Sequence, residues 1–276
     1  MDFSEAASQL MPEFDRIYDQ CSKDSTALIR DFQILNPTQA IQCAKGCGAC
    51  CHFPLISTTA GEAFVVLVKL LGAGQSFKEI SQNVLSYAND YLTKANSTGG
   101  LPFTDKMQRA FMKSNPPCPF FVKETDLPLH SMAGHCGIFN IRPHICESYH
   151  STDNPALCAL KQPHGMISSL LDKSDSYVSE VRQFERILFG RSTVGHFPLL
   201  LAALCTQNGL DSFLRELNAK PASSDSEISD QIEAQHMADF DLFVEMMASL
   251  GYDVTSEDIH NLITAQTELE SQQTKK

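Results

Sequence analysis

The segment Cys43-Ala-Lys-Gly-Cys47-Gly-Ala-Cys50-Cys51 places four thiols within nine residues. Gly46 and Gly48 flank Cys47, which favours a tight loop that turns backbone N–H groups toward sulfur. Thiolates bind soft and borderline metals, and short spacings let one loop supply several ligands at little loop-closure cost. Four further cysteines follow: Cys118 before Pro119, Cys136 after Gly134-His135, Cys146 closing Arg142-Pro143-His144-Ile145-Cys146, and Cys158. Cys21 and Cys205, the remainder of the ten cysteines, fall in helical patterns and read as small buried hydrophobes.

Clustered cysteines mean different things in different compartments. In a secreted mini-protein they are staples, but 276 residues can build a core without them. The start, Met1-Asp2-Phe3-Ser4-Glu5, has neither the basic nor the apolar part of a secretory signal. The reading is a cytoplasmic chain whose cysteines are metal ligands or redox groups. The doublet Cys50-Cys51 narrows this further. Neighbouring side chains diverge by about 100° on a helix and about 180° on a strand, so the pair does not easily chelate one tetrahedral ion. It is expected to divide between two sites or to sit across one polynuclear cluster. Eight thiolates also match two tetrahedral all-cysteine sites. The cofactor is zinc or an iron–sulfur cluster; the Cys118-Pro119 step, which occurs in bacterial ferredoxin runs, is a weak pointer to the second. His52, His135, His144 and His150 could each replace a thiolate, although such imidazoles more often orient ligands from behind. Arg142 could offset cluster charge by donating to sulfur.

Lys and Arg number 21 against 33 Asp and Glu, a net charge of −12. That balance disfavours general nucleic-acid binding and anionic membranes. The longest apolar run, Phe197 to Cys205, is far shorter than the roughly 20 residues that span a bilayer. The partners expected are metal ions; no protein partner can be read. The acidic stretch Asp225 to Glu245 reads as the wet face of a helix whose other face carries Ile228, Ile232, Phe240, Phe243 and Met247.

Hydrophobic periodicity gives a mainly α fold, a helical shell around a loop-rich cysteine centre with at most a small β-hairpin. An N-terminal helical segment covers 1–40, with a second stretch from Ser25 to Leu35 ending at Asn36-Pro37. The cysteine-cluster domain covers 41–165 and a C-terminal helical region covers 166–276. Thr59-Ala-Gly-Glu62 and Ser76-Phe-Lys-Glu79 are capping boxes. The first opens an almost wholly apolar helix from Ala63 to Leu71, the second an amphipathic helix to about Leu92. A third helix is expected over Thr104 to Ser114. Further helices follow from Ser176 to Phe189 and from Phe197 to Cys205, the latter continuing through 210–217. A loop from Pro221 leads to closing helices from Ile228 to Leu250 and from Ser256 to Glu270. The hairpin is expected from Cys118-Pro-Phe-Phe-Val122 and Cys136-Gly-Ile-Phe-Asn140. Tyr149 is expected to pack on the Ala63–Leu71 helix.

From Cys43 to Cys158 the chain resembles the YkgJ-type cysteine-cluster family, a zinc- or iron-chelating domain with a CxxCxxCC signature. The blocks that carry the resemblance are Cys43 to His52, Cys118-Pro-Phe-Phe121, Gly134 to Cys146, Ser148-Tyr149-His150-Ser151 and Cys158. The first gap has three residues where the signature has two. The resemblance implies metal chelation by Cys43, Cys47, Cys50, Cys51, Cys118, Cys136, Cys146 and Cys158 with no assigned downstream activity. Flagellin lysine N-methylase looks like a relative, so an iron–sulfur-dependent methyltransferase or redox enzyme is one alternative. A thiol-redox sensor or metal chaperone is another. Cys43-x3-Cys47-x2-Cys50 also has the spacing of a radical-SAM loop, but the helical flanks do not suit the parallel barrel which that chemistry uses. No phosphate loop, nucleophile elbow or H-E-x-x-H pattern occurs.

Overall fold

The structure is a computed structural model that describes residues 1–43, 47–53, 55–98, 116–123, 134–154, 157, 165–190, 192–218 and 244–252. The expected third helix over Thr104 to Ser114, the loop from Pro221, most of the two closing helices and Cys158 lie outside the described residues.

Helix α1 runs unbroken from Phe3 to Leu35. Asp2 and Glu5 form a reciprocal capping box at its start, with N–H to carboxylate distances of 2.9 and 2.8 Å. Its buried stripe, Ala6, Leu10, Phe14, Ile17, Cys21 and Ser25, keeps a three-or-four spacing through both of the stretches read from the sequence. Pro12 lies on the exposed face. Helix α2 (Ala60–Gly72) is buried on nearly every side over its first eight residues. Its approach is strand β1 (Ser57–Thr59). Helix α3 (Phe77–Thr98) opens on a complete box, Ser76 N–H to Glu79 at 3.1 Å and Glu79 N–H to Ser76 Oγ at 3.2 Å.

A β2–β3 ribbon (Phe121–Lys123 with Gly134–Cys136) forms where the hairpin is expected, pairing Phe121 with Cys136. Short helix α4 (His144–Ser148) follows, then α5 (Ser168–Phe189), strand β4 (Val194–His196), α6 (Phe197–Leu204) and α7 (Gln207–Glu216). Residues 244–249 form a further helical stretch. The sequence pattern carries α6 straight into α7, but the chain breaks at Cys205. Thr206 recaps it by accepting from Gly209 N–H at 3.0 Å. A Cβ on Gly209 would lie 2.2 Å from the Ala203 carbonyl, so the turn requires glycine.

The fold is mainly helical, with two short antiparallel ribbons among the described residues. The second ribbon pairs β1 with β4, Ser57 opposite His196. Each of these strands leads directly into an apolar helix, so the ladder starts α2 and α6 side by side in the core. Every residue of α6 is buried, and it packs against α2, α3 and α7 while α1 covers α2 and α5. No described helix is long and apolar enough to cross a membrane.

Candidate metal centre

Backbone hydrogen bonds bring the cysteine blocks together. Cys50 and Cys51 sit on a 3-10 turn, Ala49–His52, closed by Cys51 N–H to Gly48 carbonyl at 3.0 Å. The Phe121 ring and the Gly134 carbonyl press on Gly48: an added Cβ would lie 2.3 Å from Phe121 Cε2. Cys118 N–H donates to the Cys51 carbonyl at 2.7 Å, joining the second block to the first. The Cys118 carbonyl then accepts from Phe121 N–H at 2.9 Å. Phe121 is the ladder partner of Cys136. Cys146 is placed by α4, and Ser151 N–H donates to Cys43 Sγ at 3.1 Å.

The thiols answer one another electrostatically. A hydrogen bond from the Cys43 thiol lowers Cys47 to about 6, against burial. The Cys51 thiol interacts with both Cys50 and Cys136. It draws Cys50 down, with the Arg142 guanidinium assisting against burial. It draws Cys136 to about 7, where Ile138 N–H and Arg142 also favour the thiolate. Cys51 itself is pushed up as the shared donor. Burial raises Cys118 to about 12 and raises Cys146 as well, and both feel the charges of Cys50 and Cys136. The doublet thiols interact, although neighbours on a 3-10 turn, at three residues per turn, leave the backbone about 120° apart. No described cysteine is in a disulfide. Among the described residues no three His, Cys, Asp or Glu side chains already stand around a common point as an ion requires. The chain presents linked donors and not a closed cage.

The buried polar atoms without partners concentrate here. His52 Nε2, Arg142 Nε, His144 Nε2, His150 Nδ1 and Thr152 Oγ1 all lack hydrogen-bond partners and all belong to the cysteine-bearing segment. Orphaned buried groups are uncommon and call for a missing ligand. Of the groups here, it is the lowered thiols that suit a thiophilic ion, since Arg142 Nε–H can only donate. Arg142 stacks on Phe139 at 3.9 Å, so its guanidinium is held beside Cys50, Cys136 and Cys146 as a counter-charge. Helix α4 begins at His144, with Pro143 as its cap residue. Cys21 and Cys205 are both buried, and burial raises their thiols to about 11 and about 12.

A clamp that the sequence reading did not identify holds α4. Glu62, alone among the apolar side chains at the start of α2, accepts from His144 N–H and from His144 Nδ1, both at 2.8 Å. It also accepts from Tyr18 at 2.8 Å and from Thr58. Burial alone would raise Glu62, but the His144 charge and these donors bring it to about 2. His144 is raised in turn, because Glu62 overcomes the burial that disfavours its charge. The expected Thr59 capping box is thus half formed. Thr59 Oγ1 accepts from Glu62 N–H at 3.1 Å, while the Glu62 carboxylate goes to His144 instead. Residues two apart on a helix point to nearly opposite sides, so His144 faces α2 while Cys146 faces the thiols. His52 packs edge-on against Phe121 at 4.9 Å. Tyr149 packs edge-on against Phe53 at 4.8 Å.

The centre is a cysteine-rich chelating site held inside a helical shell. Residues 42–165 match the family described as "CxxCxxCC: Putative zinc- or iron-chelating domain". Comparison with curated proteins and with solved structures finds no significant match.

Proposed function

We propose that the chain chelates zinc or an iron–sulfur cluster through Cys43, Cys47, Cys50, Cys51, Cys118, Cys136, Cys146 and Cys158. What supports this reading is that Cys43 meets Cys47, Cys51 meets Cys50 and Cys136, Cys118 N–H donates to the Cys51 carbonyl, and Cys146 lies within electrostatic reach of Cys50, Cys118 and Cys136. Cys50, Cys51 and Cys136 are the inner donors, with Cys118 and Cys146 in electrostatic reach. Cys43 and Cys47 form an outer pair, with Cys43 Sγ accepting from Ser151 N–H. A bound ion would supply positive charge that fixes the thiolates. The N–H groups of Ala49, Phe120 and Ile138 donate to Cys47, Cys118 and Cys136, and Arg142 offsets the excess negative charge. The role is that of a metal-binding protein in the cytoplasm.

Elemental analysis of anaerobically isolated protein, with metal per chain set beside acid-labile sulfide, tests it. Colourless protein with stoichiometric zinc supports closed thiolate sites, and brown protein with iron and sulfide supports a cluster. Protein that carries neither and takes up neither refutes the reading.

A further inference from the structure

Ser151 forms an antiparallel bridge with Met166. In an extended chain successive peptide groups face opposite edges. Ser151 turns both of its groups toward the first cysteine: its carbonyl accepts from Gln42 N–H at 2.9 Å, and its N–H donates to Cys43 Sγ at 3.1 Å. His150 and Thr152 turn theirs the other way. The His150 carbonyl accepts from Ile167 N–H at 3.2 Å, and Thr152 N–H donates to the Gly165 carbonyl at 3.0 Å. Residues 150–152 thus stand as a wall with Cys43 at one edge and 165–167 at the other.

A single bridge has little strength of its own, and two side chains lock it. The fully buried Ser151 hydroxyl lies 3.2 Å from both the Asp153 and the Gly165 carbonyls and accepts from Asp153 N–H at 3.1 Å. The Asp153 carboxylate accepts from Gly165 N–H at 2.6 Å, closing positions twelve apart in sequence. This latch sits on the edge away from Cys43, yet it fixes the direction of the amide that the sulfur receives. A hydrogen bond to an ionised sulfur is charge-assisted, so an amide held at that point favours Cys43 as the thiolate that a metal needs.

We infer that Asp153 is a positioning residue of the metal centre: its latch on Gly165 fixes the turn that aims Ser151 N–H at the Cys43 thiolate ligand. The inference rests on the chelation proposed above and adds to it a carboxylate that touches no metal.

The test loads the full chain with NMR-active cadmium, a thiophilic probe of the centre. The Ser151 amide proton is expected to show a scalar coupling to cadmium across the Cys43 sulfur, which requires both the hydrogen bond and the metal–sulfur bond. Asp153→Ala is expected to lose that coupling and to bind cadmium about 10–100-fold more weakly, the usual cost of removing an outer partner of a ligand. Asp153→Asn, whose amide oxygen can still accept from Gly165 N–H, should bind as the wild type does and keep the coupling. In a Cys43→Ala background Asp153→Ala should add no further loss, because effects that pass through one ligand do not add. If Asp153→Ala does not fold, Asp153→Glu, which lengthens the latch by one methylene, takes its place with the same expectations. Wild-type protein that takes up no cadmium overturns the chelation reading and this inference with it. Full cadmium content without coupling at Ser151 overturns this inference alone. So does wild-type affinity in Asp153→Ala, or a loss that persists undiminished in the Cys43→Ala background.

Discussion

Replacing Glu185 by glutamine should change how stability depends on pH while leaving the packing intact. Glu185 lies on α5, buried against the start of α2. Ser192 Oγ donates to it at 2.5 Å, Thr59 donates to the other oxygen, and Gly61 N–H points at it. Burial, the dominant influence, raises the carboxyl from 4.5 to about 8; these donors pull it down and the neighbouring Glu62 charge pushes it up. Between the two values the folded chain keeps a proton that the unfolded chain has released. The group's contribution is complete below the ordinary carboxyl value and is lost as pH rises through the folded one. The slope is about 1.4 kcal/mol per pH unit, so on the order of 3 kcal/mol disappears between roughly pH 5 and pH 8. Glutamine has the same shape, accepts from Gly61 and Thr59, donates to Ser192 and does not titrate. Urea unfolding across that range, with metal at one saturating concentration so that its linkage is common to both proteins, gives the difference curve. It should swing in favour of Glu185→Gln by about 3 kcal/mol toward the alkaline end. Parallel curves would refute the protonated state of Glu185, since Glu62 and His144 titrate in both proteins and cancel.

Glu62→Gln leaves the His144 charge buried without its counter-ion, and chemical denaturation at pH 7 should show a loss of about 3–5 kcal/mol. A Cβ on Gly134 would lie 2.4 Å from the Val122 carbonyl, so Gly134→Ala must part the β2–β3 ribbon that carries Cys136. Unfolding should show a loss of about 1–3 kcal/mol together with reduced metal per chain. Cys51→Ser removes the thiol shared by Cys50 and Cys136 and should lower metal content, whereas Cys205→Ala, beyond the end of α6, should retain it. Elemental analysis of both variants beside wild type decides this pair.

What could be read from the sequence follows from how local each cause is. Helices α2 and α6 are visible because nearly every residue in them is apolar, and the Ser76 box because both of its partners lie within one turn. The Thr59 box fails in its second half because the Glu62 carboxylate finds His144, 82 positions further on; no local rule anticipates that partner. A lone carboxylate among Ala60–Leu71 is the signal that could have exposed it. Strands β1 and β4 are three residues each and far apart in sequence, too short for alternation to register, yet they decide where α2 and α6 begin. The cysteine blocks are legible from spacing alone. The contact between the Cys50 and Cys51 thiols is not, because neighbouring side chains diverge in every regular backbone geometry.

The shell and the centre are joined at few places, and this shapes what metal removal should do. Side chains of α2, α3 and α6 make a continuous apolar core in which Phe64, Leu67, Leu70, Tyr91 and Phe197 are almost fully buried, with no thiolate needed to complete it. In a zinc finger the ion supplies nearly all of the folding free energy; here burial of these helices supplies its own. The cysteine loops have no such reserve, because the 3-10 turn, the β2–β3 ribbon and α4 are each five residues or fewer per element and cannot stand alone. Chelator treatment at neutral pH should therefore retain most helicity by circular dichroism. Amide exchange should accelerate over 47–53, 118–123 and 134–151 while α2 and α6 stay protected. Cooperative loss of protection in α6 on metal removal would refute this division, because it would mean that the core depends on the ion and not the reverse.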